Sequence, residues 1–568
     1  MNKNRTSITT VAALLATTLL VTLIVCSAAL AASSDGSAPV ASGTPAPGTT
    51  KAYYFTWYDS KPGNGMAGDW IVIGNLEDTS ASAQVYFGNE TSPRENLTIA
   101  SHDRAVVSWP DTIGGPVRVV SPDGATLVVT QRVLYRNTFN EVAALEAGNL
   151  DSSYNFTWYD SKPGNGMRGN WILVANAGAE TASVDVYIGD ASMGSYQIAP
   201  GDKITPQYPN YMNGPVRVTS TNGQPLIVSQ RVLWGGSFNE VMGMPDRNLD
   251  TVYNFTWYDM TRDTGMAGNW ILISNSNDAT VHAQVYVGPG AVPRGTYAIG
   301  PHQSVTPTYP GLRDGPVRVV CTDCSGSQKI MVSQRIIYKD SFEEVQGTPP
   351  AGLTEREFFG WYDFTAANSM RGDWLLIANL GLSDTIVDVF IGNSPTPYAS
   401  YNIAADDRVT PQFPEVMGGP IRVVSRNNQP LMVSQRTIYK DSFNELLGLT
   451  KVDVGAPAAA GPDMHLNKLN VYWKDLSDFN NHLLSVDMRM ANPGAGNALG
   501  TTITGIAGTN GVTPETTVPI PLGDISAGGG YANFTVRLNV PASVTSFNLQ
   551  VTAKCQDSGG TWYYFPAV

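Results

Sequence analysis

Residue types able to do chemistry recur along this sequence at fixed spacing. Asp59 and Asp69 stand ten residues apart around a Gly-rich loop, and the same interval separates Asp160 from Asn170, Asp259 from Asn269, and Asp363 from Asp373. Carboxylate and amide oxygens on one loop suit a hard cation, which makes Asp59, Asp69, Asp363 and Asp373 candidate calcium ligands. The spacing matches no EF-hand, and two copies pair Asp with a neutral Asn. Bonding of these side chains to their own loop backbone is the stronger expectation, so no cofactor is expected.

A second recurrent pair, Gln-Arg, lies inside an apolar run, as in Val228-Ser229-Gln230-Arg231-Val232-Leu233. Strand alternation puts the two on opposite faces, so one of them points inward and needs a partner. Arg132, Arg231, Arg335 and Arg436 are followed nine residues later by Glu141, Glu240, Glu344 and Glu445. That offset predicts a structural lock within each copy, with Asp160 as the other candidate partner of Arg231. A third set is Tyr58, Tyr159, Tyr258 and Tyr362. Alternation puts Phe156 and Trp158 on the core face and Thr157 and Tyr159 on the other. The tyrosines are therefore candidate contacts for a carbohydrate or a partner, although packing under the adjacent Gly-rich loop is the stronger expectation.

His102, His282, His302, His465 and His482 are read as occupying no shared position among the copies, which argues against a repeated metal site or histidine base. The chain has no Gly-x-Ser-x-Gly elbow, His-Glu-x-x-His pair or phosphate-cradling loop. No catalytic residue is assigned, and an enzyme is not expected.

These residues sit in four copies of one unit. The segments Phe55-Thr56-Trp57-Tyr58-Asp59, Phe156-Thr157-Trp158-Tyr159-Asp160, Phe255-Thr256-Trp257-Tyr258-Asp259 and Phe359-Gly360-Trp361-Tyr362-Asp363 align, with tryptophans 101, 99 and 104 residues apart. Each copy ends in a Phe-Asn/Glu-Glu tail. The second copy divides into seven strand-length runs, 154–160, 171–176, 182–189, 195–199, 202–208, 214–220 and 225–234, with Asn222-Gly223 as a hairpin turn between the last two. Seven short strands in such a unit point to an immunoglobulin-like β-sandwich, with a closed β-barrel as the alternative. The expected order is a signal peptide over 1–31, a low-complexity tether over 32–51, and repeats over 52–150, 151–249, 250–353 and 354–450. A linker over 451–463 and a distinct C-terminal β-sandwich over 464–568 follow. The fold class is all-β.

The Trp-Tyr segment, the Asp/Asn-Trp-Ile-Leu-Ile-x-Asn strand and the Pro-Leu-Ile-Val-Ser-Gln-Arg-Val-Leu-Trp strand resemble the roughly 100-residue all-β repeats of secreted and cell-surface bacterial proteins. The resemblance covers residues 52–448 and departs at Gln230, where those repeats carry Glu. The C-terminal part, with Ala491-Asn492-Pro493-Gly494 and Val540-Pro541, is similar to adhesion-type sandwich modules of prokaryotic surfaces. The resemblance implies a location outside the cell and no particular activity.

Composition agrees with an exported chain. Lys3 and Arg5 precede an apolar stretch over 11–25, and Ala29-Leu30-Ala31 offers a cleavage site. An uncleaved anchor and a lipoprotein built on Cys26 are the competing readings; cleavage would leave no transmembrane segment. Cys321 and Cys324 are expected to close a small disulfide loop, and Cys555 has no assigned role. Asn89, Asn96, Asn155, Asn254 and Asn533 are sequons able to carry N-glycans. Thirty-five Lys and Arg against 48 Asp and Glu leave a net charge of −13, a surface that repels phosphate backbones and excludes nucleic-acid binding. The chain is thus expected to be a non-catalytic structural or adhesive surface protein, an extended rod assembling into a layer or filament. Its partners would be cell-surface polymers or copies of itself. The alternative is a polysaccharide-binding accessory protein using outward aromatic residues.

Overall fold

In the computed structural model, which describes residues 50–450 except 291 and 382, and most of 462–565, each repeat is a pair of packed antiparallel sheets. The signal peptide, nearly all of the tether and most of the linker expected from the sequence lie outside the described residues. The first repeat contains β1 (Lys51–Phe55), β2 (Tyr58–Asp59), β3 (Met66–Asn75), β4 (Ala81–Phe87), β5 (Glu95–Ile99), β6 (Arg104–Val107), β7 (Ile113–Gly114), β8 (Val117–Ser121), β9 (Leu127–Tyr135) and β10 (Thr138–Ala143). An outer sheet carries β1, β8, β4 and β5, an inner sheet carries β6, β3, β9 and β10, and β2 pairs with β7.

The sequence pattern explains both layers. Along β4, buried and half-buried residues alternate strictly, as a strand with one covered face requires. In β3, by contrast, Ile71, Val72 and Ile73 are all buried, which marks a strand covered on both faces. Ile71 and Ile73 belong to the repeat's own core. Val72 points the other way, toward Gly360 of the fourth repeat.

Three readings from the sequence need correction. The run over 154–160 is two strands, Ser153–Phe156 and Tyr159–Asp160, paired with Val216–Ser220 and Met212–Asn213 respectively. The break falls at Thr157-Trp158. Its equivalent in the first repeat is backed by Gly115, at φ +119°, where a Cβ would stand 2.9 Å from the Thr56 carbonyl oxygen and the Trp57 Cα. Only glycine permits that approach. Second, the strands flanking Asn222-Gly223 lie in different sheets, so this turn carries the chain across the sandwich and is not a hairpin. Third, the Phe-Asn-Glu tail is itself a strand, hydrogen-bonded antiparallel to the Gln-Arg strand.

That extra strand decides the architecture. The four tails, β10, Ser237–Met242, Ser341–Gln346 and Ser442–Leu447, pack around one axis, each touching the tails on either side, the fourth touching the first. A hydrogen-bond cycle follows the same order. Phe238 N donates to Thr138 Oγ1 at 3.3 Å, Phe342 N to Ser237 Oγ at 3.0 Å, Phe443 N to Ser341 Oγ at 3.0 Å, and Phe139 N to Ser442 Oγ at 2.9 Å. Leu76 and Val128 of the first repeat share an apolar cluster with Phe358 and Leu449 of the fourth. The extended rod is therefore incorrect for the four repeats; they form a closed ring. Short links fit side-by-side packing as well as end-to-end stacking, and the doubly buried inner strands require the former.

The C-terminal sandwich pairs two four-stranded sheets, one of His465–Tyr472, Leu483–Asn492, Gly530–Asn539 and Thr513–Pro514, the other of Ile520–Ile525, Ala498–Gly508, Leu549–Gln556 and Trp562–Phe565. Met488, Val536 and Ile503 lie in its core with Cys555, a free thiol that burial pushes up to about 11. Among the described residues, no helix is long and apolar enough to cross a membrane.

Candidate functional site

The recurrent polar residues converge on the seams of the ring. In the second repeat, Arg231 Nε and Nη2 both donate to Glu240 Oε2, at 2.9 and 2.6 Å. Antiparallel pairing places the two residues directly opposite each other, which is why the nine-residue offset is constant. The other carboxylate oxygen accepts from Ser229 Oγ at 2.7 Å and from Thr56 Oγ1 of the first repeat at 3.0 Å. Arg132–Glu141, Arg335–Glu344 and Arg436–Glu445 repeat the pairing. Each carboxylate is about 95% buried. Thr157 reaches Glu344 and Thr256 reaches Glu445, so three of the locks also bind the preceding repeat.

Tryptophan caps the seams. The Arg231 guanidinium lies between Phe238 of its own unit and Trp57 of the preceding one. Lys203 also stands over Trp57, 4.3 Å from the ring centre, while Arg408 covers Trp257 and Arg104 covers Trp361. Burial pulls the Lys203 ammonium and the Arg104 guanidinium below their ordinary values. Cation–π contacts gain strength when desolvated in this way.

The glutamine of the Gln-Arg pair faces the repeat's own loop. Gln131 Nε2 donates to the Trp57 carbonyl at 3.0 Å and to both Asp69 oxygens, and Gln435 treats Trp361 and Asp373 alike. In the middle repeats, Gln230 and Gln334 meet Asn170 and Asn269, whose amides donate to the Asp160 and Asp259 carbonyls. Burial pushes the Asp69 carboxyl up to about 8 and holds Asp373 well above the usual carboxylate range. Asp59 accepts from Lys61 N and Asn64 Nδ2, and Asp363 from Thr365 N and Asn368 Nδ2. These four candidate calcium ligands are thus occupied by their own loops. Among the described residues, no three His, Cys, Asp or Glu side chains are grouped to hold a metal.

The tyrosines do not form a contact surface. Tyr58, Tyr159, Tyr258 and Tyr362 are fully buried. The break at Thr157-Trp158 shifts the alternation by one residue and turns Tyr159 inward. Each hydroxyl donates to a backbone carbonyl, as Tyr58 does to Asp69 O at 2.8 Å, and accepts a backbone N–H, as from Trp109 at 2.8 Å. Burial and the Asp69 carboxylate push Tyr58 up to about 12.

Other sequence readings resolve similarly. Cys321 and Cys324 are joined in a disulfide. Of the sequons, Asn89, Asn96 and Asn533 are exposed, whereas Asn155 and Asn254 are buried, leaving no room for a glycan. The histidine reading is corrected: His102 and His302 occupy one position, 45 residues after Trp57 and Trp257, each in a left-handed turn. His302 Nδ1 meets Asp190 of the preceding repeat at 2.5 Å, while His102 Nε2 meets Asp78 at 2.8 Å.

The sequence reading missed the axis itself. One step along each tail from the phenylalanine, Asn140, Asn239, Glu343 and Asn444 turn inward, none more than 2% exposed. Asn140 Oδ1 accepts from Glu240 N at 3.2 Å, Asn444 Oδ1 accepts from Glu141 N, and Asn444 Nδ2 approaches Glu343 Oε1 at 3.4 Å. Asn140 Nδ2, both Asn239 polar atoms and Glu343 Oε2 have no hydrogen-bond partner. Burial, with the Glu445 and Glu344 carboxylates nearby, raises the Glu343 carboxyl well above its ordinary range, although the Glu445 backbone N–H and the adjacent Asn239 amide favour its charge. The one legible signal was Phe342-Glu343-Glu344, the only tail with Glu in place of Asn. Beyond this layer, Val142, Val241, Val345 and Leu446 line a cavity of about 320 Å³ at the axis.

No family model matches the chain, and no curated protein matches it. Solved structures with some likeness include the CupB2 chaperone of Pseudomonas aeruginosa, at 10% identity and TM-score 0.09, covering 36% of this chain and 96% of that one. Trypsin-activated alpha-2-macroglobulin from Escherichia coli gives 11% identity and TM-score 0.17, with 93% of this chain and 40% of that chain covered. The native conformation of the E. coli protein gives 9%, 0.16, 93% and 38%. The chain spans well under half the length of both macroglobulin structures. Scores of this size support no functional argument.

Proposed function

We propose that the protein is a non-catalytic structural or adhesive component outside the cell, in which the ring serves as a rigid platform and the C-terminal sandwich makes contacts. The supporting observation is the cyclic seam: the repeated Arg, Glu, Gln and Thr side chains bond to one another within and between repeats, and the fourth repeat bonds to the first. A stiff assembly of sandwiches with its recurrent polar groups engaged internally fits a mechanical role.

The second reading is polysaccharide binding, now moved to a different place. Phe479 and Tyr531 of the C-terminal sandwich are 53% and 56% exposed, with Trp473 and Trp562 also exposed. Trp473 and Phe479 pack edge to face at 5.6 Å. Exposed aromatic faces of this kind suit stacking on sugar rings.

Cosedimentation of the purified protein with cell envelopes and with a panel of insoluble polysaccharides separates the two. Adhesion predicts binding to envelopes that survives Trp473→Ala with Phe479→Ala. Polysaccharide binding predicts capture by one polymer and a loss of at least tenfold in that double variant. Release of soluble sugar or peptide from either material would sink both.

A further inference from the structure

We propose that the axial cavity of the ring binds a primary ammonium group carried on an aliphatic stem. The cavity, about 320 Å³, receives residues from all four repeats and is large enough for a small organic ligand. Its walls are aliphatic, from Val142, Val241, Met242, Val345 and Leu446. Its charged lining is acidic only, with no Lys or Arg. Glu141, Glu240, Glu344 and Glu445 are already neutralised by their arginines. Glu146 and Glu343 have no such partner in the lining.

Glu343 is the decisive group. It is 98% buried and lines the cavity, and no hydrogen bond of ordinary geometry reaches Oε2, although the Glu445 backbone N–H and the Asn239 amide lie beside the carboxyl. Burial and two neighbouring carboxylates disfavour its charge, the Glu445 N–H and the Asn239 amide offset part of this, and a cation placed beside it would offset more. A bare metal ion finds too few ligands, since no metal-holding group exists among the described residues. An ammonium brings three donors and no acceptor, and its stem would lie along the valines. A Glu343 carboxyl that holds a proton loses it to solvent on binding, and the carboxylate pairs with the incoming R–NH₃⁺. Atoms and charge balance with one proton released.

The test is calorimetry on the full chain at pH 7.5, with n-hexylamine as probe and hexanol, hexanoate and calcium chloride as controls. Nα-acetyl-lysine amide reports whether a protein side chain can supply the same group. Hexylamine is expected to bind at least tenfold tighter than hexanol, with a heat that differs between phosphate and Tris because a proton is released. Glu343→Gln should weaken it at least tenfold. Val241→Trp, which fills the cavity from the second repeat's tail and leaves the Glu343 side chain itself unchanged, should abolish it and decides the matter if Glu343→Gln fails to fold. Hexanol binding within threefold of hexylamine, calcium binding abolished by the same variants, or unchanged affinity in Val241→Trp would overturn the proposal.

Discussion

The first and fourth repeats differ from the second and third beneath the Gln-Arg strand, and the closing seam differs from the other three. The middle pair carries Asn170 and Asn269 beneath the Gln-Arg strand; the outer pair carries Asp69 and Asp373 there, both buried. Three seams join a threonine to a serine, Thr56 with Ser229, Thr157 with Ser333 and Thr256 with Ser434, at 2.6, 2.6 and 2.7 Å. The closing seam instead sets Gly360 against Thr130. The backbone architecture is the same throughout, so the differences show what each position tolerates: the lock is kept in every copy, whereas the groups around it vary in charge and bulk.

The largest expected effect tests the shared element. Arg231→Ala leaves Glu240 buried with only hydroxyl partners, and removing one member of a buried pair costs about 3–5 kcal/mol. The arginine side chain is 15% exposed, so the lower end, about 3 kcal/mol, is expected. Arg132→Ala at the closing seam should cost a similar amount. Denaturant unfolding of the full chain measures both. A loss under about 1 kcal/mol would show the lock to be a surface pair.

The second effect separates outer from middle repeats. Asp69 is raised from 3.8 to about 8 in the folded protein, so folding takes up a proton between those values. The stability this carboxyl allows is fully present in acid and is lost as pH rises through that window. Asp69→Asn should therefore be neutral below about pH 4 and increasingly stabilising up to pH 8. Its amide would reproduce the Asn170 contact with the Asp160 carbonyl, which exists at 3.0 Å. Unfolding curves at pH 4, 6 and 8 check the sign. A gain that does not grow with pH would mean the carboxyl is already solvated or paired.

How much of this was readable follows from what alternation can and cannot encode. The strand content, the four units and the Arg–Glu pairing were legible because they depend on period-two patterns and constant offsets within one unit. The packing of Tyr159 beneath its neighbouring loop was anticipated, but its inward turn was not, because a break at Thr157-Trp158 resets the alternation. Ring closure was hidden for a different reason. Val72, Ile73 and their neighbours read as an ordinary buried strand, and nothing in an apolar run says whether its second face meets the same repeat or another. The axial layer was overlooked because Asn140 and Glu343 lie beside the recurrent glutamates and were read with them as a single tail motif.

The smallest expected effect addresses the closing seam. A Cβ at Gly360 would sit 3.1 Å from Thr130 Oγ1 and 3.3 Å from Val72 Cγ1, tighter than relaxed packing allows. Thr130 itself donates to Glu141 Oε1 at 2.7 Å, so it cannot swing aside without loosening the lock. Gly360→Thr alone should cost about 1–2 kcal/mol through overpacking, and Thr130→Ser alone about 0.5–1 kcal/mol through the lost methyl. Together they recreate the threonine–serine contact of the other three seams, so the double variant should be more stable than the sum of the single losses by about 1 kcal/mol. A double-mutant cycle in urea measures this coupling. Strict additivity would mean that residues 360 and 130 do not sense each other.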